Sequence, residues 1–322
     1  MTSVPAGAAA ASEAGRSPAP CGVLVLDKPQ GPTSHDVVGR VRRALGTRAV
    51  GHAGTLDPMA TGTLVLAVGE ATKLVPWLTA QDKAYEATIA LGVETDTLDA
   101  DGRPVRAIAL AAGLLEELRG GGDASALVAR AIALERARTE QVPPAFSAIH
   151  HDGERAYAMA RRGEAPSLAA RPVVVHDIEV TACGDDPPLV HVRLDVGKGY
   201  YVRALARDLA EALGTVGHLT SLRRTRSGGF SCEDAAPAHA TRDELLARML
   251  PAASAAARVL PVAKITDAGA RDARHGRTVH PHDIDGPAGG PTAWIDPGGR
   301  LVAVGRVDDA GRGAVLRGFV GG

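Results

Sequence analysis

The chain contains few of the residues that build disulfide frameworks or metal sites. It has three cysteines in 322 residues, Cys21, Cys183 and Cys232, and none of them lies in a CxxC pair. An odd number of widely spaced cysteines is typical of neither a disulfide scaffold nor a zinc site. We therefore expect no bound metal and a reducing compartment, the cytoplasm.

Aromatic residues and long apolar runs are also scarce. Aromatic residues make up 3% of the chain, whereas apolar residues as a whole make up 45%. Alanine, valine and leucine must therefore form most of the core, and each tyrosine becomes a candidate for a role at a surface. No run approaches the roughly 18 apolar residues of a transmembrane helix, so we expect no membrane span. Residues 1–20 are rich in alanine and proline, lack the parts of a signal peptide and predict a disordered tail.

Neither sign of charge is in excess, since the formal net charge is -1. The whole-chain balance therefore does not predict a polyanionic partner. Basic clusters nevertheless occur at 40–43, 160–164 and 222–226, and an acidic cluster occurs at 94–102. Any one cluster is more often a solvated face than a binding site. Three basic clusters in one chain are still enough to form a stripe on one face.

Hydrophobic periodicity and turn residues divide residues 22–250 into short strands and amphipathic helices. Ser34 is a candidate N-cap for the first helix, and Gly46 is a candidate stop. The predicted strands lie at 22–26, 63–69, 82–92, 172–183 and 189–199, and the predicted helical segments at 35–46, 105–140 and 201–214.

The composition shifts beyond residue 250 toward short strands and many glycines. The sequence "AWIDPGGRLVAVGRV" predicts two strands joined by a turn at "DPGG". We therefore expect a first domain over 21–250 and a small β-rich domain over 258–322.

The segment "GHAGTLDPMATG", residues 51–62, places one carboxylate, Asp57, between Leu56 and Pro58. Its three glycines permit a tight turn or a close approach to a ligand, and Pro58 favours an extended conformation for Asp57. A simpler interpretation is that Asp57 caps a short helix beginning at Pro58. Taken alone, the segment favours this simpler interpretation.

Two further segments combine glycines, tyrosines and an arginine. In "GKGYYVRALARDL", Tyr201 and Arg203 stand at the start of a predicted helix. An arginine at that position can pair with a carboxylate or phosphate, although an ordinary surface arginine fits the same pattern. In "DKAYEA", Tyr85 is one of four tyrosines, and a half-buried strand residue is an equally good explanation.

Together these motifs resemble the TruB family of tRNA pseudouridine synthases. The motifs "GVLVLDKPQGPTSHDVV", "GHAGTLDPMATGTLVLAVGEATK", "DKAYEATIALGVETDTLDADG", "QVPPAFSAIHHDGERAYAMAR", "GKGYYVRALARDLAEALG" and "LTSLRRTRSGGF" occur in the family's order over residues 22 to about 232. The C-terminal "GRTVHP" and "GGRLVAVGRV" resemble the small RNA-binding PUA domain of many members.

The resemblance implies an α+β fold. Its catalytic domain would hold a mixed, mostly antiparallel sheet flanked by helices, followed by a small C-terminal β-rich, PUA-like domain. The implied reaction converts uridine 55 in the TΨC arm of tRNA to pseudouridine without cofactor or metal. The implied protein is a cytoplasmic monomer with no obligate protein partner.

The resemblance also assigns roles to individual residues. The aspartate at the position of Asp57 is the family's nucleophile, a role that suits a carboxylate. Arg203 would pair with Asp57 and keep it charged. Tyr85 would stack on the uracil and is a candidate for handling the C5 proton. His52 would occupy the space of the flipped-out nucleotide. Tyr201 and Leu222 would line the base pocket. The loop that carries Asp57 would be supported by Lys28 and Pro29.

The chain departs from the family pattern at Tyr200, where a small hydroxyl residue is more frequent, and at His150, where lysine is usual. Three alternatives stay open. An RNA-guided synthase of the dyskerin type shares the same core. A non-catalytic tRNA chaperone would not need the set of Asp57, Tyr85 and Arg203. A hydrolase based on an aspartate has only Asp57 in its favour.

Overall fold

The structure is a computed structural model that describes residues 19–119, 126–147, 150–151, 154–155, 159, 162, 164 and 168–319. The tail predicted for residues 1–20 falls almost entirely outside this range. Three residues of the basic cluster at 160–164 and the side chain of His150 also fall outside it.

Short helices and strands alternate through the described residues. The α-helices are α1 Ser34–Leu45, α2 Val75–Thr79, α3 Ala112–Arg119, α4 Ala126–Arg136, α5 Val202–Ala212, α6 Arg242–Ala247, α7 Ala252–Ala257 and α8 Asp267–Arg274. Short stretches of 3-10 helix lie at Gly69–Leu74, Cys232–Asp234 and Pro281–Asp283. The strands are β1 Gly22–Lys28, β2 Val50–His52, β3 Thr61–Val68, β4 Lys83–Leu91, β5 Val93–Thr95, β6 Pro104–Ala107, β7 Glu140–Gln141, β8 His150–His151, β9 Glu154–Arg155, β10 Arg171–Pro172, β11 Val175–Asp185, β12 Pro188–Val196, β13 Gly217–Ser227, β14 Phe230–Ser231, β15 Ala236–Pro237, β16 Val262–Ile265, β17 Ile284–Asp285, β18 Pro291–Ile295, β19 Leu301–Val307 and β20 Gly313–Gly318.

A nine-stranded mixed sheet forms the larger part of the fold. Its order is β11-β12-β4-β13-β3-β1-β15, with β14 paired to β13 and β2 paired to β3. The β13–β3 and β1–β15 pairs are parallel, and the other pairs are antiparallel. Helix α5 packs against β13 and β4, and α3 and α4 pack against β11. The predicted mixed, mostly antiparallel sheet with flanking helices is confirmed.

Strand β1 is buried on both faces, which explains its uninterrupted apolar sequence "GVLVL". Leu24 and Leu26 join the core that the helices cover. Val23 and Val25 join a second core that includes Leu301, Val304 and Phe319 of the C-terminal part. Alternate residues of one strand therefore supply two different cores.

A second, five-stranded sheet begins at Val262, with the order β17-β16-β18-β19-β20. Its central side chain is Trp294, which is fully buried and donates its indole N–H to Thr292 Oγ1 at 2.9 Å. Helix α8 packs on this sheet. The predicted β-rich C-terminal part and its strand pair around "DPGG" are confirmed.

Two sequence predictions about helices are wrong. Residues 104–107 form strand β6, paired with β5, and the helical part begins only at Ala112. Pro104 suits the first residue of a strand, where no N–H is needed. The N-cap of α1 is Thr33, which exchanges capping-box bonds with Asp36, rather than Ser34. The predicted stop at Gly46 is confirmed, because Gly46 ends the helix with φ +67°.

Strand β13 was not predicted, although it lies in the middle of the sheet. Its basic sequence "LRRTR" indicated a solvated face, but Arg224 is 1% exposed. Arg223 and Arg226 pair with Asp27 at 2.8 Å and with Asp195 at 2.6 Å. Charged residues can occupy a central strand because these charges have partners.

Two glycines with positive φ provide a test of the packing between β3 and β13. A Cβ on Gly62, at φ +100°, would lie 2.2 Å from the backbone oxygen of Arg224, whereas a Cβ on Gly46 would meet nothing within 4 Å. We expect Gly62→Ala to lower the free energy of unfolding by about 3 kcal/mol or more, and Gly46→Ala by about 1 kcal/mol. Urea denaturation of both variants measures the difference, and equal losses would contradict the close approach.

Candidate active site

Asp57 lies in a loop between β2 and β3 that folds back on itself. The backbone N–H of Ala60 donates to the Asp57 carbonyl at 3.1 Å and closes a turn over Pro58 and Met59. No helix follows Pro58, so the interpretation of Asp57 as a helix cap is wrong. We call residues 53–60 the Asp57 loop. Its composition needs an explanation other than helix capping.

Lys28 holds the C-terminal side of the Asp57 loop. Its fully buried ammonium donates to the carbonyls of Ala60 at 2.6 Å and Pro58 at 3.2 Å, and to the carbonyl of Pro29 at 3.0 Å. Burial lowers the pKa of Lys28 to about 8, although the nearby charge of Asp57 raises it. Lys28 therefore stays protonated at neutral pH and joins the end of β1 to the loop.

Ser34 and Arg224 hold the N-terminal side of the same loop. The Ser34 hydroxyl accepts from the backbone N–H of Leu56 at 2.9 Å and lies 3.1 Å from its carbonyl, to which it donates. The buried guanidinium of Arg224 donates to the carbonyls of Gly54 at 3.2 Å and Thr55 at 3.5 Å. Sequence analysis missed both residues, because Ser34 resembled a cap and Arg224 a member of a surface cluster.

Arg203, at the start of α5, meets the Asp57 carboxylate in a two-pronged contact. Its Nε lies 2.9 Å from Oδ2, and its Nη2 lies 3.4 Å from Oδ1. The remaining donors bind the carbonyls of Thr97 at 2.9 Å and Phe146 at 2.8 Å. Only 8% of the Arg203 side chain is exposed, against 33% for Asp57. The structure thus fixes the guanidinium and leaves the carboxylate open on one side.

A second carboxylate, Asp99, lies 3.7 Å from Nε of Arg203. It is 4% exposed and accepts from the Thr97 hydroxyl at 2.6 Å. Burial raises the pKa of Asp57, the charges of Arg203 and Lys28 lower it, and the charge of Asp99 raises it. Asp99 belongs to the acidic cluster at 94–102, so the interpretation of that cluster as a solvated face is wrong at this position.

Tyr85 and Leu222 lie on neighbouring strands of the sheet and face the same core. Leu222 pairs with Ala87 in the register of β13 and β4, and Tyr85 pairs with Arg224. Tyr85 is 9% exposed and Leu222 is 7% exposed. Tyr85 is therefore a buried strand residue in this structure, one strand away from the arginine that holds the Asp57 loop.

Tyr201 is the N-cap residue of α5, two positions before Arg203. The side chain of Gln141 fixes its backbone, accepting from the Tyr201 N–H at 2.9 Å and donating to its carbonyl at 3.2 Å. Burial raises the pKa of the Tyr201 hydroxyl. Tyr200 points away into the core beside Glu135 and Arg138, and burial raises its pKa as well.

His52 ends β2 just before the Asp57 loop, and its ring meets that of His35 edge-on at 5.1 Å. Its Nδ1 is buried and has no hydrogen-bond partner among the described residues. Burial lowers the pKa of His52, and the charges of His35 and Arg224 lower it further. Asp57 and Arg203 are thus in direct contact, Lys28 binds the Asp57 loop, and His52 leads into it.

Within the described ranges, no group of three His, Cys, Asp or Glu residues is arranged to hold a metal ion. No helix in this part of the chain is long and apolar enough to cross a membrane.

Two family models match adjoining parts of the chain. Residues 42–202 match "TruB family pseudouridylate synthase (N terminal domain)", and residues 203–264 match "tRNA pseudouridylate synthase B C-terminal domain". Relatives named tRNA pseudouridine synthase B include one from Mycobacterium sp. (strain KMS), 46% identical over 286 residues that cover 86% of this chain and 92% of the relative. Another, from Thermobifida fusca (strain YX), is 45% identical over 291 residues that cover 88% of this chain and 93% of the relative.

Solved structures with this fold include chains from an RNA-protein complex and from a complex of proteins. A chain in an H/ACA RNP bound to a substrate RNA containing 2'-deoxyuridine superimposes with a TM-score of 0.67 at 25% identity, covering 93% of this chain and 85% of that one. A chain of a Cbf5-Nop10-Gar1 complex gives a TM-score of 0.64 at 26% identity, covering 89% and 78%. Identity over most of the length, the matched family models and the shared fold agree: the chain belongs to the TruB family of pseudouridine synthases, which are isomerases.

Proposed function

We propose that this enzyme isomerises uridine 55 in the TΨC arm of tRNA to pseudouridine, with Asp57 as the nucleophile. One observation carries the assignment of Asp57. Nε of Arg203 lies 2.9 Å from the Asp57 carboxylate, yet one-third of the Asp57 side chain remains exposed. Relatives named tRNA pseudouridine synthase B support tRNA as the substrate.

The reaction rearranges one nucleotide without net gain or loss of atoms. The Asp57 carboxylate attacks either C1′ of the ribose or the uracil ring. The bond between N1 and C1′ breaks, the uracil turns, a bond forms between C5 and C1′, and the bond to Asp57 breaks, which restores the free carboxylate. C5 loses its proton to solvent, and N1 gains one. Arg203 keeps the carboxylate ionised and aimed, because a charge-assisted fork resists both protonation and rotation.

The target uridine must leave its stack to reach Asp57, at a cost of a few kcal/mol. Stacking on an aromatic ring returns about 1–3 kcal/mol. We assign this stacking to Tyr85, which a bound base would contact, and the lining of the base pocket to Leu222 and Tyr201. We assign to His52, which ends β2 just before the Asp57 loop, the contact with the RNA that the uridine leaves.

The same proposal includes the setting of the enzyme. Residues 21–250 would act as the catalytic domain and 258–322 as a PUA-like RNA-binding domain. The protein would work as a monomer in the cytoplasm, with Lys28 and Pro29 supporting the Asp57 loop. No cofactor or metal takes part in the proposed steps.

A guide-dependent synthase is the second candidate, favoured by the likeness to the H/ACA RNP chain. The two candidates differ in what they need. A stand-alone enzyme isomerises free tRNA, whereas a guided enzyme is inactive until a guide RNA is added.

The first test is release of tritium from C5-labelled uridine in unmodified tRNA under single-turnover conditions. We expect release by the wild-type protein and none by Asp57→Asn, which keeps the side-chain shape but removes the nucleophile. Binding of tRNA should be retained in the variant. The matched control is Asp185→Asn, which removes a carboxylate that pairs with Arg119 outside residues 258–322 and should leave release unchanged.

The position of the target uridine is tested with tRNA that carries cytidine at position 55. We expect this tRNA to release one equivalent of tritium less than the tRNA with the natural sequence does. Undiminished release would contradict uridine 55 as the target. Release by Asp57→Asn at the wild-type rate would contradict the nucleophile. No release by either protein until guide RNA is added would favour the second candidate.

Arg203→Lys tests the role of the two-pronged contact between the Arg203 guanidinium and the Asp57 carboxylate. Lysine supplies a point charge without two parallel donors, so we expect kcat to fall about 100-fold or more. Activity needs ionised Asp57 and is lost as pH falls through its pKa, which Arg203 lowers. In the variant that pKa rises, and the acidic limb of the pH profile of kcat moves to higher pH. Arg207→Lys, one turn along α5, is the control, and a similar loss there would argue for helix damage.

Tyr85→Leu tests the stacking role. The variant keeps apolar bulk but loses the ring, so we expect kcat to fall by more than about 100-fold with a change in tRNA affinity below about threefold. Tyr85→Phe keeps the ring and removes the hydroxyl, which separates stacking from handling of the C5 proton. Equal losses in kcat and affinity in Tyr85→Leu would make Tyr85 a binding residue only.

A further inference from the structure

Helix α1 carries exposed arginines without acidic partners. Arg40 and Arg43 on the helix, and Arg48 in the turn after it, are exposed, and within the described residues none of them lies within 4.0 Å of a carboxylate oxygen. The acidic residue of the helix, Asp36, is occupied by the Thr33 cap at 2.6 Å. The charge of these arginines is therefore directed at solvent.

The position of α1 relative to the Asp57 loop is fixed at both ends. At its start, Ser34 binds the backbone of Leu56, and His35 contacts the ring of His52. Near its end, Arg42 donates to the carbonyl of Val50 at 2.7 Å. The helix therefore runs beside β2 and away from the Asp57 loop, and its last turn lies about 12–16 Å from Ser34 at 1.5 Å per residue.

A fourth arginine, Arg242 of α6, reaches the same end of α1. It is exposed and donates to the carbonyl of Ala44 at 3.3 Å. We call Arg40, Arg43, Arg48 and Arg242 the α1 ridge. Gly39 lies next to Arg40 on α1, and a Cβ there would meet only the end of the Arg43 side chain within 4 Å.

Several exposed arginines elsewhere on the surface are paired with carboxylates. Arg193 lies 3.0 Å from Glu179, and Arg312 lies 2.9 Å from Asp308. Arg106 likewise lies 2.9 Å from Glu94. In a chain with a net charge of -1, the charges of the α1 ridge, which carboxylates do not offset, form a local positive surface.

We propose that the α1 ridge binds the phosphate backbone of the RNA helix that adjoins the flipped-out uridine. This inference rests on the proposed function and adds a surface to it. Guanidinium forks match phosphate oxygens, and backbone contacts fix the register of a nucleic acid without reading its sequence. With His52 just before the Asp57 loop, and Arg40 and Arg43 about 9 and 14 Å along α1 from Ser34, one RNA arm can contact both.

The test is the triple variant Arg40→Gln, Arg43→Gln and Arg48→Gln, with tRNA affinity measured across a range of salt concentrations. Each lost phosphate contact reduces the slope of log K against log salt by about 0.9, so we expect a reduction of about two to three. We expect KM for tRNA to rise about tenfold or more, with a much smaller change in kcat. The matched control replaces three paired arginines outside residues 258–322, Arg106→Gln, Arg119→Gln and Arg193→Gln, and should keep the wild-type slope.

A wild-type slope in the ridge variant, with circular dichroism showing a folded protein, would overturn the proposal. An equal reduction in the control would also overturn it, because only total charge would then matter. The outcome is separable from that of the proposed function. If the wild-type protein binds tRNA but releases no tritium, the slopes still decide whether the α1 ridge is the RNA surface.

Discussion

The site depends on the binding of buried cations to backbone carbonyls of one loop. Lys28 and Arg224 donate to carbonyls on either side of Asp57. Burying a charge without partners is very costly, but an ammonium or guanidinium surrounded by carbonyl oxygens is largely satisfied. Loss of either cation would leave carbonyls unpaired and free the loop to move. The two cations, together with the buried side chains of Leu56 and Met59, explain why this loop can hold a carboxylate in one place.

Arg203 is a further buried cation, and it binds the carboxylate of Asp57 directly. It lies between Asp57 and Asp99 and uses its other donors on the carbonyls of Thr97 and Phe146. Burial is the largest cause that raises the pKa of Asp57, and the charge of Asp99 raises it further. The charges of Arg203 and Lys28 lower it. The ionisation of Asp57 is therefore a property of four charged groups acting together.

The sequence allowed the strands β1, β3, β4, β11 and β12, helices α1 and α5 and the contact between Asp57 and Arg203 to be predicted. Those elements have strong periodicity or distinctive motifs. Strand β13 could not be predicted, because its arginines are satisfied by Asp27, Asp195 and carbonyls that are distant in sequence. Asp99 and Ser34 were missed for the same reason. Their neighbours come from segments that only the folded chain brings together.

Strand β1 has a consequence for how this protein can change over generations. Val23 and Val25 pack toward the C-terminal sheet, while Leu24 and Leu26 pack toward the helices. A change in side-chain volume at Val23 or Val25 must be accommodated by a core that the C-terminal sheet shares with β3. A change at Leu24 or Leu26 must be accommodated by the helices around the site. A new C-terminal part would therefore have to fit Val23 and Val25, whereas Leu24 and Leu26 would be unaffected by it.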